Sequence, residues 1–220
     1  DNLKALYQVL TESGISAQFL DKTQLNRYEP NLNAKVCWGI LFKEVGHTVN
    51  PERLCQQLFQ AFVRIGGRYK KADIKSVSQR LDSATNRDIV KINLATEEIM
   101  SYDKAVIAAG AWSKPLVSQL GYRVPLDTER GYHLMLPERN MLCMPVASLE
   151  RKFIMTPMSH GLRLAGTVEF AGLSTPANMK RANTLYENAK HLLNDIPIFS
   201  SENADENQRW MGFRPSTPDS

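Results

Sequence analysis

Arg214, in the run Gly212-Phe-Arg-Pro-Ser-Thr-Pro-Asp219, has the residue type and the setting to grip a carboxylate. Pro215 biases the residue before it toward extended backbone, so the arginine side chain projects from a strand end. A planar guanidinium matches both oxygens of a carboxylate at once. A surface arginine paired with a nearby acid would carry the same sequence, and the residues alone leave both readings open. Tyr132, in Arg130-Gly-Tyr-His133, offers a second contact. Its hydroxyl can hydrogen-bond a carboxylate while its ring lines a pocket, or the ring can simply pack on an alternating strand. With Tyr132 toward a ligand, His133 points to the opposite face.

A third run, Asp103-Lys-Ala-Val-Ile-Ala-Ala-Gly-Ala-Trp-Ser-Lys-Pro115, carries no titratable chemistry but suits a bulky partner. An aliphatic stretch, Ala105 to Ala109, ends in Gly110, with polar residues and a proline following. That pattern reads as a buried strand entering a tight loop and a helix start. Without a Cβ at Gly110, a ligand can approach the backbone closely, and in open α/β sheets ligands gather where strands end in such loops. An ordinary strand-to-helix turn has the same look.

Other chemistries lack their residues. No Gly-x-Ser-x-Gly elbow, paired cysteine or Glu-x-x-His pattern is present, so hydrolase and metalloenzyme readings have no support. The three cysteines, Cys37, Cys55 and Cys143, are far apart and odd in number. They read as reduced thiols of a cytoplasmic protein. The net charge of +4 is mild and spread along the chain, which argues against a nucleic-acid partner. No apolar run approaches the roughly 18 residues of a membrane span. At 220 residues and 43% hydrophobic, the chain has material for one large domain or two modest ones.

The elements that must position these residues can be placed by pattern. Leu3, Leu6 and Leu10 mark a first helix that Gly14 caps. Asp21 with Gln24 forms a capping box opening a short helix to about Tyr28. Val36 to Val45 reads as strand. Asn50 then caps a helix whose first position is Pro51 and which Gly66-Gly67 ends, with Leu54, Leu58, Ala61, Phe62 and Ile65 on one face. Strands follow at Arg68 to Arg80, Ile89 to Leu94 and around Ile99, the first two joined by a turn near Asp82 to Asn86. Beyond Trp112, the stretches Arg130 to Leu136, Arg151 to Pro157 and Leu162 to Val168 alternate like an antiparallel sheet with one face solvated or over a cavity. A helix from Thr175-Pro176 to about Asn194 turns Ala182, Leu185, Ala189, Leu192 and Leu193 inward, and Arg209 to Pro215 reads as the last strand. The first residues already lie in a helix and the last follow a strand, so we expect an excised part of a longer protein.

Val106-Ile-Ala-Ala-Gly-Ala-Trp-Ser113, Pro125-Leu-Asp-Thr-Glu-Arg-Gly-Tyr-His133 and Gly212-Phe-Arg-Pro-Ser-Thr-Pro-Asp219 occur in this order and at a spacing that resembles the FAD-dependent D-amino-acid oxidase superfamily. The likeness is nearest to bacterial D-amino-acid dehydrogenases, with glycine and sarcosine oxidases next, and it covers nearly the whole chain. It implies an α+β fold: an antiparallel or mixed sheet forming a substrate-binding domain packed with helices, plus an inserted part of a Rossmann-like FAD-binding domain. Residues 1–45 and 119–220 would belong to the former and 46–118 to the latter. The glycine-rich loop that holds the FAD pyrophosphate at a helix N-terminus is missing from these residues. The resemblance therefore implies the middle of an enzyme, inactive by itself.

The implied activity is oxidative deamination of a D-amino acid or small amine-containing acid. Hydride passes to FAD, and the imino acid hydrolyses to a keto acid and ammonia. The implied role of Arg214 is binding the substrate carboxylate, on a cavity shared with Tyr132 on a flavin-facing strand. Ile74 matches a position near the adenine end of FAD, and Ala108, Ala109, Gly110 and Ala111 match a loop passing close to the nucleotide. For all five the alternative is core packing. Met155, Phe170 and Trp210 are candidates for the side-chain pocket, while His47 and His160 read as loop supports. No acid–base residue is required, because the cofactor performs the hard step. The electron acceptor stays open between oxygen and a respiratory carrier, the latter with peripheral association at the inner membrane. A binding module that kept the substrate-domain shape and lost its flavin is the non-enzymatic alternative.

Overall fold

The computed structural model describes residues 2–83, 86–138, 141–199 and 208–219 and shows helices with antiparallel sheet. Its elements run α1 (Asn2–Glu12), β1 (Ala17–Asp21), α2 (Lys22–Tyr28), β2 (Trp38–Phe42), α3 (Pro51–Arg64), β3 (Ile74–Asp82), β4 (Arg87–Leu94), β5 (Ile99–Tyr102), α4 (Ser113–Gln119), β6 (Asp127–Leu136), β7 (Val146–Ser148), β8 (Phe153–Met158), β9 (Gly161–Phe170), α5 (Lys180–Lys190) and β10 (Arg209–Ser216). The α+β expectation holds. The chain divides into two compact units: residues 1–57, 131–168 and 177–211 form the first, and 58–130, 169–176 and 212–220 the second.

The helix ends form where the sequence places them. Gly14 N–H bonds to Thr11 C=O at 3.0 Å and Ile15 N–H to Leu10 C=O at 3.0 Å, the paired bonds of a Schellman stop. The same pair closes α3, from Gly66 to Val63 and from Gly67 to Phe62, both at 3.0 Å. Gly66 sits at φ +92°, and a Cβ on Gly67 would lie 2.4 Å from the Phe62 ring, so both positions require glycine. Asp21 and Gln24 close the capping box at 2.9 Å in each direction. Asn50 Oδ1 accepts the Arg53 N–H at 2.9 Å, capping α3 as its sequence indicates.

In the first unit, β1 and β2 pair antiparallel from Ala17↔Phe42 to Asp21↔Trp38. The larger sheet has the order β10-β6-β9-β8-β7. One face of it, Leu134, Leu136, Phe153, Met155, Leu162 and Leu164, packs with Ala182, Leu185 and Ala189 of α5 to form the core. The opposite face of the same strands keeps a row of half-buried side chains, including His133, Thr156 and Arg163. The loop before α3 is tied to the β8–β9 turn: His47 Nε2 lies 2.8 Å from Pro157 C=O. Beside it, Asn50 Nδ2 donates to Ser159 Oγ at 3.2 Å and lies 3.1 Å from His160 Nε2. Both histidines therefore serve as loop supports.

In the second unit, β3, β4 and β5 form an antiparallel meander. The Gln119 side chain at the end of α4 accepts the Val77 N–H of edge strand β3 at 3.0 Å.

Several expectations change. Ala105 to Ala109 is not a buried strand: no strand is assigned there, Val106 is 91% exposed and Ala108 is exposed. Strand is a pairing rather than a local state, and no described strand lies alongside this aliphatic run. The last helix starts at Lys180 rather than Thr175. The intervening backbone is bound elsewhere: Arg130 holds the carbonyls of Ala171, Gly172 and Pro176, and Tyr132 holds the Asn178 N–H. The strand after α3 starts at Ile74 rather than Arg68, and β1 and β7 had no legible signal. The tip of the β3–β4 turn, 84–85, lies outside the described residues.

Candidate functional site

The second unit holds Arg214 near the end of β10. Its side chain is exposed, and it makes no hydrogen bond or ion pair with any described residue. The residue before it is fixed from two sides. The Arg130 guanidinium lies 5.3 Å above the Phe213 ring. Trp112 meets the same ring edge-on, centroids 5.2 Å apart at 73°. Arg130 is fully buried, and its Nε, Nη1 and Nη2 donate to Gly172, Pro176 and Ala171 C=O at 2.7, 3.4 and 3.2 Å. Glu169 lies 4.0 Å away to balance the charge. Five fixed donors in a plane suit this arrangement of three carbonyls, where a lysine would not. Ser216 Oγ donates to Glu129 Oε1 at 3.3 Å, tying down the residues after Arg214.

Trp112 closes the loop that follows the aliphatic run. Gly110 sits at φ +54° and opens a single 3-10 turn, Gly110–Trp112, which the Trp112 N–H closes onto Ala109 C=O at 3.0 Å. Nothing lies within 4 Å of where a Gly110 Cβ would stand, so this backbone is open to a partner. Ala108 is exposed, Ala109 half-buried and Ala111 buried. Ile74, the first residue of β3, is 46% exposed and sits at a bulge in the pairing with β4. Of the expected cofactor-side residues, Ala108 and Gly110 are exposed, Ala109 is half-buried, Ala111 is buried, and Ile74 begins the meander.

The first unit holds Tyr132 and His133. Tyr132 is 2% exposed on the core face of β6, and its hydroxyl accepts the Asn178 N–H at 3.1 Å. His133 points to the other face and stacks on Trp210, centroids 4.9 Å apart at 21°. Burial, and secondarily the Arg163 charge, lowers its pKa from 6.5 to about 4, so the ring is neutral at pH 7. Met155 is core at 0% exposure, whereas Phe170 is 72% exposed. Two hollows in this unit, about 220 and 490 Å³, are lined by Met141, Leu142 and Pro157 among others and by Leu25, Leu32 and Asn194 among others, and neither includes His133, Arg163 or Trp210.

Sequence reasoning missed Arg130 and Arg163 as structural and electrostatic centres. Each is an arginine on an otherwise alternating strand, and that is the signal that was available. Among the described residues no group of His, Cys, Asp and Glu is arranged to hold a metal, and no helix is long and apolar enough to cross a membrane.

The sequence profile of the DAO family, FAD-dependent oxidoreductases, matches residues 1–220. The chain belongs to this family. It is 34% identical over 209 residues to a D-amino-acid oxidase of Bradyrhizobium diazoefficiens, covering 94% of this chain and 47% of that protein. A D-amino acid dehydrogenase of Vibrio vulnificus is 28% identical over 218 residues, covering 96% and 49%. The fold matches glycine oxidase from Geobacillus kaustophilus with a TM-score of 0.78 at 23% identity, covering all of this chain and 56% of that one. The chain thus spans about half the length of the curated relatives it matches. The DAO family to which it belongs is one of FAD-dependent oxidoreductases.

Proposed function

We propose that the full-length protein oxidatively deaminates a D-amino acid or another small amine-containing acid. The observation that carries this reading is Arg214: an exposed guanidinium with no described protein partner, following a residue clamped from both sides. An exposed cation next to a clamped residue, with no partner among the described residues, is available to an external carboxylate. The relatives named D-amino-acid oxidase and D-amino acid dehydrogenase supply the substrate class.

The surface fits FAD. Ala108 offers a small exposed side chain and Gly110 backbone with open space in front, the properties a nucleotide needs for close approach, with the buried Ala111 holding the turn from beneath. Ile74 adds an exposed aliphatic group. When bound, FAD supplies the two-electron acceptor for the hydrogen on the amine-bearing carbon. The chain's own part is positional: Arg214 binds the carboxylate and fixes which substrate face is presented. Tyr132, its hydroxyl taken by Asn178, supports the substrate side by anchoring the strand. In this reading 46–118 serves the FAD-binding domain, 1–45 and 119–220 serve the substrate domain, and activity requires the rest of the protein.

The test is turnover by FAD-loaded full-length protein on D-alanine, D-proline, glycine and sarcosine, with oxygen uptake and dye reduction measured side by side. Dye reduction without oxygen uptake assigns a dehydrogenase, and oxygen uptake assigns an oxidase. Flavin that no amine reduces would defeat the proposal.

A further inference from the structure

The open face of β9 carries a charge with no counter-ion among the described residues. Arg163 is half-buried, its Nε is sealed from solvent without a hydrogen-bond partner, and its guanidinium makes no ion pair or hydrogen bond with any described residue. Burial pulls its pKa down, a sign that the protein itself supplies little to stabilise the charge. Leaving a cation part-desolvated and unpaired is costly, and so is an unmade hydrogen bond at a sealed N–H. Four residues along the same face of the strand, Thr167 Oγ1 is a second sealed polar atom without a partner.

The neighbours give this place a definite chemistry. Thr156 is directly opposite Arg163 in the antiparallel β8–β9 register, so its hydroxyl stands beside the guanidinium on the same face. The next pair on that face, Ile154 and Ala165, is apolar. His133, close enough to feel the Arg163 charge, stays neutral and stacks against Trp210, which is 53% exposed. A cation and a hydroxyl donor lie beside a flat aromatic wall, and among the described residues no acidic side chain pairs with the cation.

We infer that Arg163, with Thr156 and the His133–Trp210 stack beside it, is a subsite for a carboxylate of the amino-acid substrate. The guanidinium supplies charge and paired donors, Thr156 supplies a third donor, and the stacked rings exclude water from one side. The inference deepens the proposed function and rests on it for the identity of the ligand. Arg214 takes the α-carboxylate in that reading, so the carboxylate at Arg163 is one carried on the substrate's side chain.

The experiment compares FAD-loaded full-length protein with its Arg163→Met and Arg163→Lys variants. The readouts are KM and kcat on D-alanine and D-glutamate, flavin content, and the His133 ring resonance during titration with acetate. Arg163→Met should raise KM for D-glutamate by about 10- to 100-fold at nearly constant kcat, with Arg163→Lys recovering part of the loss. KM for D-alanine should stay at the parental value, and an equal rise for both substrates overturns the side-chain subsite. Acetate should shift the His133 resonance in the parent protein and not in Arg163→Met. A folded, flavin-loaded Arg163→Met protein with parental KM for both substrates and a parental acetate response overturns the subsite. If no amino acid is oxidised at all, the proposed function fails, and the acetate titration still decides whether the anion subsite exists.

Discussion

The Arg130 guanidinium stands over the ring of Phe213 at 5.3 Å, one residue before the exposed Arg214. The buried cation of one motif thus sets the backbone that carries the exposed cation of another. Arg130→Lys keeps the charge but cannot span three carbonyls, leaving acceptors unmet at about 1–3 kcal/mol in total. Chemical denaturation should report a lower midpoint. An unchanged midpoint would mean that Arg130 does not organise the 171–176 segment.

Arg214→Ala in the full-length enzyme should weaken transition-state binding by about 2–4 kcal/mol, seen mainly as a raised KM. Arg214→Lys should retain part of the affinity as a point charge. Parental kinetics in Arg214→Ala would remove the residue from the substrate site.

Gly110→Val forces a β-branched residue to φ +54°, which costs about 1–2 kcal/mol or more. It also places bulk where the backbone is now open. Purified full-length protein should carry less FAD than the parent, measured by flavin absorbance per protein. Full flavin content would assign the 108–111 loop a purely structural role.

Tyr132→Phe removes an acceptor for the Asn178 N–H and should cost about 1 kcal/mol of stability while KM moves less than twofold. A KM rise of tenfold or more would instead place the hydroxyl on the substrate.

His133 gives an acid limb to stability. Its folded pKa of about 4 is below its usual 6.5, so its contribution is complete above pH 6.5 and is lost as pH falls toward 4. His133→Phe keeps a ring for Trp210 and cannot take a proton. Between pH 6.5 and 4 its melting temperature should fall less than that of the parent. Parallel curves would show that His133 does not govern this window.

Much of the fold was legible because its signals are local. Asp21 and Gln24, Asn50 and Pro51, and the glycines at 14 and 66–67 determine helix ends through bonds to their own neighbours. The inward residues of α5 and the alternation of β6 and β9 follow from the periods of helix and strand. The three motifs pointed to the family and to Arg214 as the residue to watch.

What the sequence left undecided depends on pairing across the fold. Ala105 to Ala109 has strand composition but no described neighbour to pair with, and Thr175 to Met179 is drawn out of helix by side chains distant in sequence. Alternation places Tyr132 and His133 on opposite faces, but only packing with α5 decides that Tyr132 is the buried one. Likewise, an arginine on a strand reads the same whether it ties carbonyls, as Arg130 does, or has no partner among the described residues, as with Arg163. Its partners are brought by tertiary structure, and the free energy of a charge is decided by those partners.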